Sequence, residues 1–297
     1  MSKEPRILVG TLYSGENEFE AMKASLQEQT YSYWEHVVYK NLPNKEAHDR
    51  LYRTFMDQQD NFDLFLKLDA DMVLKTREGL NIVANIFKQK PDLDHLTLAV
   101  HDWYSGKLID GLHTFSNKVT WSATNDERFV DPAPDREGIR LKIWHRPAPI
   151  VNHSPDPHPL QAFRFGLHRA LKVVQSERPS VRLGKSRLQW DILKKCWKKF
   201  LVSSDKRLGL ACLAATLTIN EKIIGVHYDE EGRELKKEFK KYEMISSSKI
   251  KTLIQRNWSN VINRELMYLK GVGVSNVLQK LPVYMAKCVY RKLQLKP

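Results

Sequence analysis

Asp69-Ala70-Asp71 is the stretch of this chain whose residue types and spacing most plainly suggest chemistry. Two carboxylates one residue apart, directly behind the apolar run Leu64-Phe65-Leu66-Lys67-Leu68, can share a hard divalent cation or the waters around it. Mg²⁺ and Mn²⁺ favour oxygen donors and are commonly completed by phosphate rather than enclosed by protein. The reaction that suits such a pair is departure of a diphosphate, whose developing charge the cation neutralises. Asp is also common in solvated turns for purely structural reasons, so what surrounds the triplet decides its meaning. Ten histidines offer further candidates. His153 and His158 flank Asp156 in a Pro-rich loop, where acceptor contact or loop structure is expected ahead of metal binding. His36 sits in an alternating strand and is expected to be structural. Arg164, His168 and Arg169 are cations that could face a diphosphate or an anionic acceptor.

The elements around the triplet sharpen this. Residues 6–13 are a buried strand closed by Ser14-Gly15, and residues 16–29 have a helical pattern. Strands follow at 34–39 and 63–68, with a helix over 45–59 between them, then a helix over 77–89 and a strand over 96–100. Strand, helix, strand, helix, strand at this spacing predicts a parallel sheet covered by helices. Ligands of such sheets collect outside the carboxyl ends of the strands, where the Tyr13–Glu16 turn and the Asp69–Asp71 turn both fall. Residues 101–160 read as irregular, with short strands at 108–109 and 141–144, and a loop-rich insert of this length is expected to bind something. Helices are expected over 169–176, 189–200, 206–216, 233–242 and 248–269.

These segments together resemble a family 2-type glycosyltransferase with the GT-A fold. The matching features are Ile7-Leu8-Val9-Gly10-Thr11-Leu12-Tyr13, Ser25-Leu26 with Gln29-Thr30-Tyr31, Trp34-Glu35-His36-Val37-Val38-Tyr39, and Leu66-Lys67-Leu68-Asp69-Ala70-Asp71. The resemblance implies an α/β fold, a mostly parallel sheet flanked by helices with a basic helical C-terminal region. It implies a donor pocket holding Thr11, Tyr13, Glu16, Asn41, Lys67 and Asp69, and a metal, Mn²⁺ or Mg²⁺, on Asp69 and Asp71 with His227 as a further ligand. Asn41 stands where the family usually has an acidic residue against the base; an amide still offers a donor and acceptors. Gln189-Trp190-Asp191 aligns with a Glu-Asp pair that starts a helix, which makes Asp191 the implied general base of an inverting transfer. Trp190 in place of the Glu is a departure.

Composition sets the outer limits. With 42% hydrophobic and 28% charged residues, the 297-residue chain belongs among ordinary folded proteins rather than disordered ones. Its longest apolar stretch, residues 208–217, is well short of the ~20 residues that span a bilayer. The first residues show no signal-peptide core and the three cysteines form no framework, so a cytoplasmic location is expected, at the inner face of the membrane if a lipid is involved. The charge of +13 lies wholly in the C-terminal part, where residues 184–297 hold 24 Lys/Arg against 10 Asp/Glu. Basic surfaces attract polyanions, but no nucleic-acid-binding signature accompanies this one, and dedicated nucleic-acid binding is not expected. The tail from residue 281 onward could instead make peripheral contact with an anionic membrane.

The expected organisation is a nucleotide-sugar-binding half over 1–100, an acceptor-binding and catalytic half over 101–230 and a basic helical region over 231–297. The expected activity is metal-dependent transfer of a sugar from a nucleoside-diphosphate donor to a hydroxyl of a glycan or lipid-linked acceptor. A sugar nucleotidyltransferase and a non-catalytic basic binding module are the alternatives. The first is disfavoured because residues 11–16 hold one glycine and no Lys or Arg to cradle phosphates.

Overall fold

Ile7, Leu8 and Val9 are all buried, so β1 (Ile7–Tyr13) has no solvent face, as expected of a strand inside a covered sheet. Its alternate residues feed two different cores. Ile7 and Val9 join Met22, Leu26, Leu80 and Val83 on one face; Leu8 joins Leu51, Tyr52 and Phe55 on the other. A computed structural model of the chain describes residues 4–123, 134–135, 142–145, 148–174, 183–220 and 233–294. They divide into two compact units, Met1–Pro157 and His158–Pro297.

The first unit is α/β. After β1 come α1 (Phe19–Gln27), β2 (Trp34–Lys40), α2 (Asn44–Asp57), β3 (Leu64–Lys67), β4 (Met72–Leu74), α3 (Gly79–Gln89), β5 (His95–Asp102), β6 (Lys107–Ser116), β7 (Lys142–His145) and β8 (Val151–His153). The sheet order is β2-β1-β3-β6-β5-β8-β4, with β7 also paired to β5. β1 runs parallel to both β2 and β3, and β5 parallel to both β7 and β8; β4 and β6 run antiparallel to their neighbours. The sheet is therefore mixed, yet β1, β3, β5 and β8 all end at the same edge. Gly10 lets α2 approach it, since a Cβ there would stand 2.6 Å from both Leu51 Cδ1 and Phe65 Cε2.

One expectation is corrected here. Residues 107–116, read as irregular apart from 108–109, form a ten-residue strand inside the sheet. Lys107, Asp110, Gly111, His113 and Thr114 hide the apolar pattern, and pairing with β3 and β5 overrides weak local propensity.

The second unit is helical: α4 (Pro159–Val174), α5 (Leu183–Ser203), α6 (Lys206–Ile219), α7 (Arg233–Glu243), α8 (Ser247–Trp258), α9 (Val261–Val272) and α10 (Val274–Gln294). Every residue of α6 from Leu208 to Ile219 is buried, which marks it as the central helix of this unit. α4 crosses it so closely that a Cβ on Gly166 would lie 1.8 Å from the Ala211 carbonyl oxygen. Trp258 donates its indole N–H to Thr216 Oγ1 at 2.8 Å and stacks on Trp190, tying α8 and α5 to this core. The single helix expected over 248–269 is two helices. Asn260 caps the second by accepting from the Asn263 amide at 2.8 Å, and Asn is a strong N-cap.

Candidate active site

β3 ends at Lys67, and the chain turns at once, with the Met72 amide donating to the Asp69 carbonyl at 2.9 Å. Ala70 is buried in that turn, which leaves Asp69 and Asp71 on either side of it. Lys67 Nζ lies 2.9 Å from Asp69 Oδ1. Asp71 is held more firmly. Ser154 donates its amide to the Asp71 carbonyl at 2.7 Å and its hydroxyl to Asp71 Oδ2 at 2.5 Å.

His153, the residue before that serine, stands between two carboxylates. Its Nδ1 is 2.8 Å from Asp102 Oδ1 and its Nε2 is 3.5 Å from Asp71 Oδ2. Asp102 is fully buried at the end of β5, where its Oδ2 also accepts the Ser105 amide at 2.7 Å. A carboxylate beside Nδ1 makes that nitrogen the N–H donor and turns the lone pair of Nε2 toward Asp71. Two electron-rich atoms then face each other, an arrangement relieved by a cation or a proton between them. Ser154 has φ 48°, an uncommon conformation for a non-glycine residue. It is held there by the same two hydrogen bonds that carry it to Asp71.

The turn after β1 closes the third side. Glu16 accepts from both the Ser14 amide and the Ser14 hydroxyl at 2.7 Å. Burial pushes its carboxyl above the usual range, with the charge of Asp71 adding to the rise and the Ser14 hydrogen bonds opposing it. Asn17 Nδ2 donates to the Asp156 carbonyl at 2.7 Å, and the Asp156 amide donates to Glu18 Oε1 at 3.0 Å, so the β8 loop is tied to the β1 turn. Asn41 follows β2 with φ 55°, its amide donating to the Tyr13 carbonyl at 2.9 Å. That left-handed position favours Asn among side-chain-bearing residues, which is a conformational reason for the amide found there.

The residues expected from sequence thus separate. Asp69, Asp71, Glu16, Lys67, Tyr13 and Asn41 all lie at the carboxyl ends of β1, β2 and β3. Thr11 is corrected in part: it is fully buried, its hydroxyl donates to the Leu68 carbonyl at 2.7 Å, and its oxygen is 2.9 Å from His36 Nε2. Its side chain therefore serves the sheet rather than an open pocket. His36 is partly buried beside Thr11 within the sheet. Burial, and then the charge of Lys23, lower its pKa to about 4. Ser25 and Gln29 are likewise architectural: Gln29 Oε1 accepts the Leu80 amide at 3.0 Å, and Ser25 Oγ accepts that of Leu74 at 3.1 Å.

Arg164, His168 and Arg169 lie within α4, and Arg169 Nη1 donates to Gln189 Oε1 at 2.7 Å. His158 caps the start of that helix through Nδ1, which accepts the Leu160 amide at 3.2 Å. Asp191 lies well inside α5 rather than near a helix start. Its Oδ1 is 2.8 Å from Lys194 Nζ and 3.7 Å from Arg187 Nε, within an ion cluster that reaches Glu265 of α9. Burial pushes the Glu265 carboxyl up, but the hydrogen bonds from Arg187 and Lys194 outweigh it and hold it below its ordinary value. His227 lies outside the described residues.

Asp102 and Ser154 are not among the residues singled out from sequence, and His153 is among them only as a residue of acceptor contact or loop structure ahead of metal binding. Asp102 carried a usable signal, since it follows the apolar run 96–100 and so occupies another carboxyl strand end. Nothing local joins His153 and Ser154 to Asp71, because that meeting depends on β8 pairing with β4.

Among the described residues, no group of three His, Cys, Asp or Glu side chains encloses a metal by itself. The donor set still fits a divalent cation completed from outside the protein: two carboxylates at a turn, and an imidazole nitrogen aimed at one of them and backed by a buried carboxylate. No protein-family model and no curated protein matches this chain. The solved structures to which the chain is similar include a mannosyltransferase. That enzyme, from Pyrobaculum calidifontis and in complex with GDP-Man and Mn²⁺, aligns over 94% of this chain and 89% of its own, with 11% identity and a TM-score of 0.37. A likeness this loose decides neither ligand nor reaction.

Proposed function

We propose that this chain transfers a sugar from a nucleoside-diphosphate donor to a hydroxyl of a glycan or lipid-linked acceptor. The observation that carries the reading is the gathering of Asp69, Asp71, Glu16 and His153 where β1, β3 and β8 end. This is the edge at which α/β sheets bind nucleotides.

In this reading Asp69 and Asp71, with Nε2 of His153, would hold Mn²⁺ or Mg²⁺, which when bound supplies positive charge to the departing diphosphate. Asp102 fixes the tautomer and direction of His153 through Nδ1, and Ser154 fixes the rotamer of Asp71. Lys67 offers a cation beside Asp69. Tyr13 and Asn41 bracket the donor at the ends of β1 and β2. Asp191 takes the proton of the acceptor hydroxyl as that oxygen bonds to the anomeric carbon and the bond to diphosphate breaks, so the sugar inverts. Arg164, His168 and Arg169 of α4 are the cations assigned to the acceptor or the diphosphate.

The test is calorimetric titration of UDP, GDP, CDP and dTDP, each with and without Mn²⁺, into wild type and Asp69→Ala/Asp71→Ala. One nucleotide should bind in a Mn²⁺-dependent way, and the double variant should not bind it. If none binds under either condition, the chain shares a sheet type with such enzymes and not their chemistry. Turnover that survives Asp191→Asn would remove the inverting mechanism while leaving the donor site in place.

A further inference from the structure

Nine large hydrophobic side chains between residues 261 and 289 are exposed, more than in the rest of the described residues together. On α10, Val274, Leu278, Leu281, Met285 and Val289 follow one another at intervals of four, three, four and four. At about 100° per residue they fall in a single arc of roughly 80°. All are between 39% and 65% exposed. The helix has another side for packing, because Tyr284 is half-buried over Gly184 of α5. α9 adds Val261, Ile262 and Leu266, exposed by 63%, 71% and 58%. α9 and α10 are separated by Gly273 alone, at φ 83°, so these exposed apolar side chains belong to two consecutive helices joined by one residue.

Charge selects what covers it. From residue 266 to the end of the chain there are six Lys/Arg and no Asp or Glu. Two copies docked through these helices would bring like charge together, with no acidic residue in this segment to offset it. Nucleic acid would take the charge but offer the aliphatic side chains nothing. An anionic bilayer surface satisfies both, with apolar side chains entering the headgroup boundary and lysines meeting lipid phosphates. No helix among the described residues is long and apolar enough to cross a membrane, so the contact is one of lying on the surface. We infer that the exposed arc of α10, together with Ile262 and Leu266 of α9, docks the protein on anionic lipid. The contact begins well before the last ~15 residues, to which sequence alone assigned it, and it stands whether or not the first unit binds a nucleotide.

The experiment is sedimentation of the full chain with phosphatidylcholine vesicles, with and without phosphatidylglycerol, at low and high salt. Wild type should bind the phosphatidylglycerol vesicles, with apparent affinity falling at least about tenfold in high salt or on neutral vesicles. Leu278→Ser/Met285→Ser should lose at least about tenfold on the anionic vesicles, since both groups leave water on binding. Met244→Ser, exposed at 88% outside this face, should bind like wild type. Leu278→Trp provides a readout that does not depend on loss: its added indole emission should shift to the blue on anionic vesicles. Equal binding by wild type and the Leu278→Ser/Met285→Ser variant would overturn the inference. So would no binding by wild type, or a wild-type dimer that this variant makes monomeric. Nucleotide titration of the same samples reads the donor site separately, so either proposal can fail without the other.

Discussion

Asp102 is a carboxylate without access to water, and His153 supplies one of the donors that make its burial tolerable. Removing the partner of a buried charge costs about 3–5 kcal/mol, because that charge is left uncompensated. His153→Ala should therefore lower the stability from urea unfolding by about 3 kcal/mol, while Asp102→Asn, which keeps shape and removes the charge, should cost less. If His153 also faces a bound cation, Asp102→Asn should weaken Mn²⁺-dependent nucleotide binding by about 10–100-fold, as loss of a group that orients a metal ligand does. An unchanged titration would limit the pair to a structural part. His36 makes a second residue-level prediction. Its pKa is depressed from 6.5 to about 4, so between those values the unfolded chain takes up a proton that the folded chain refuses. Stability from this group is therefore complete above pH 6.5 and is lost as pH falls toward 4. The urea midpoint of His36→Gln, which keeps a donor for Thr11, should fall less steeply than that of wild type across this window.

Among the elements, α4 and α6 are the pair with no slack. The Cβ of Gly166→Ala would overlap the Ala211 carbonyl, which belongs to backbone and cannot swing aside. Overpacking costs typically 1–3 kcal/mol, and here about 3 kcal/mol or more is expected, read as a lowered thermal or urea midpoint. The break between α8 and α9 is a milder case. Asn260→Ala removes one side-chain cap and should cost about 1 kcal/mol. These two positions also show where local reading fails. Asn260 lies inside the span expected to be one helix, 248–269, where the structure has a break and a new N-cap. Gly166 gave no sign of a crossing, since a glycine within a helical pattern has many uses. β6 was the largest miss. Its hydrophobicity is low and broken by Gly111, and only neighbours on both sides make it a central strand.

At the scale of the whole molecule, the carboxylates of the candidate donor site and the excess positive charge lie in different units. The carboxylates Glu16, Asp69, Asp71 and Asp102 are all in Met1–Pro157, and the excess of lysine and arginine is in the helical C-terminal part. A ligand that binds only the folded state raises stability by RT ln(1 + [L]/Kd), about 2.7 kcal/mol at a hundredfold excess over Kd. Mn²⁺ together with the nucleotide it binds should therefore raise the thermal midpoint of the wild-type protein. The rise should vanish in Asp69→Ala/Asp71→Ala, and persistence there would place the ligand elsewhere.

The alternation of strands and helices through residue 100, and the carboxylate pair behind the third strand, were written in local pattern. An apolar run ending at Asp69 needs only its own neighbours to be read, and so the edge of the sheet that bears the candidate site could be located in advance. What the sequence left open depends on contacts between distant residues. His153 meets Asp71 and Asp102 only because β8 lies between β4 and β5, with register that sets Asp102 and Met72 beside it. Thr11 turned inward because Leu68, just past the end of β3, and His36 of β2 offered its hydroxyl partners on either side. The exposed arc of α10 is a tertiary fact of the same kind. Its apolar spacing is visible in the chain, but only the packing of Tyr284 against α5 decides which side is left to the solvent.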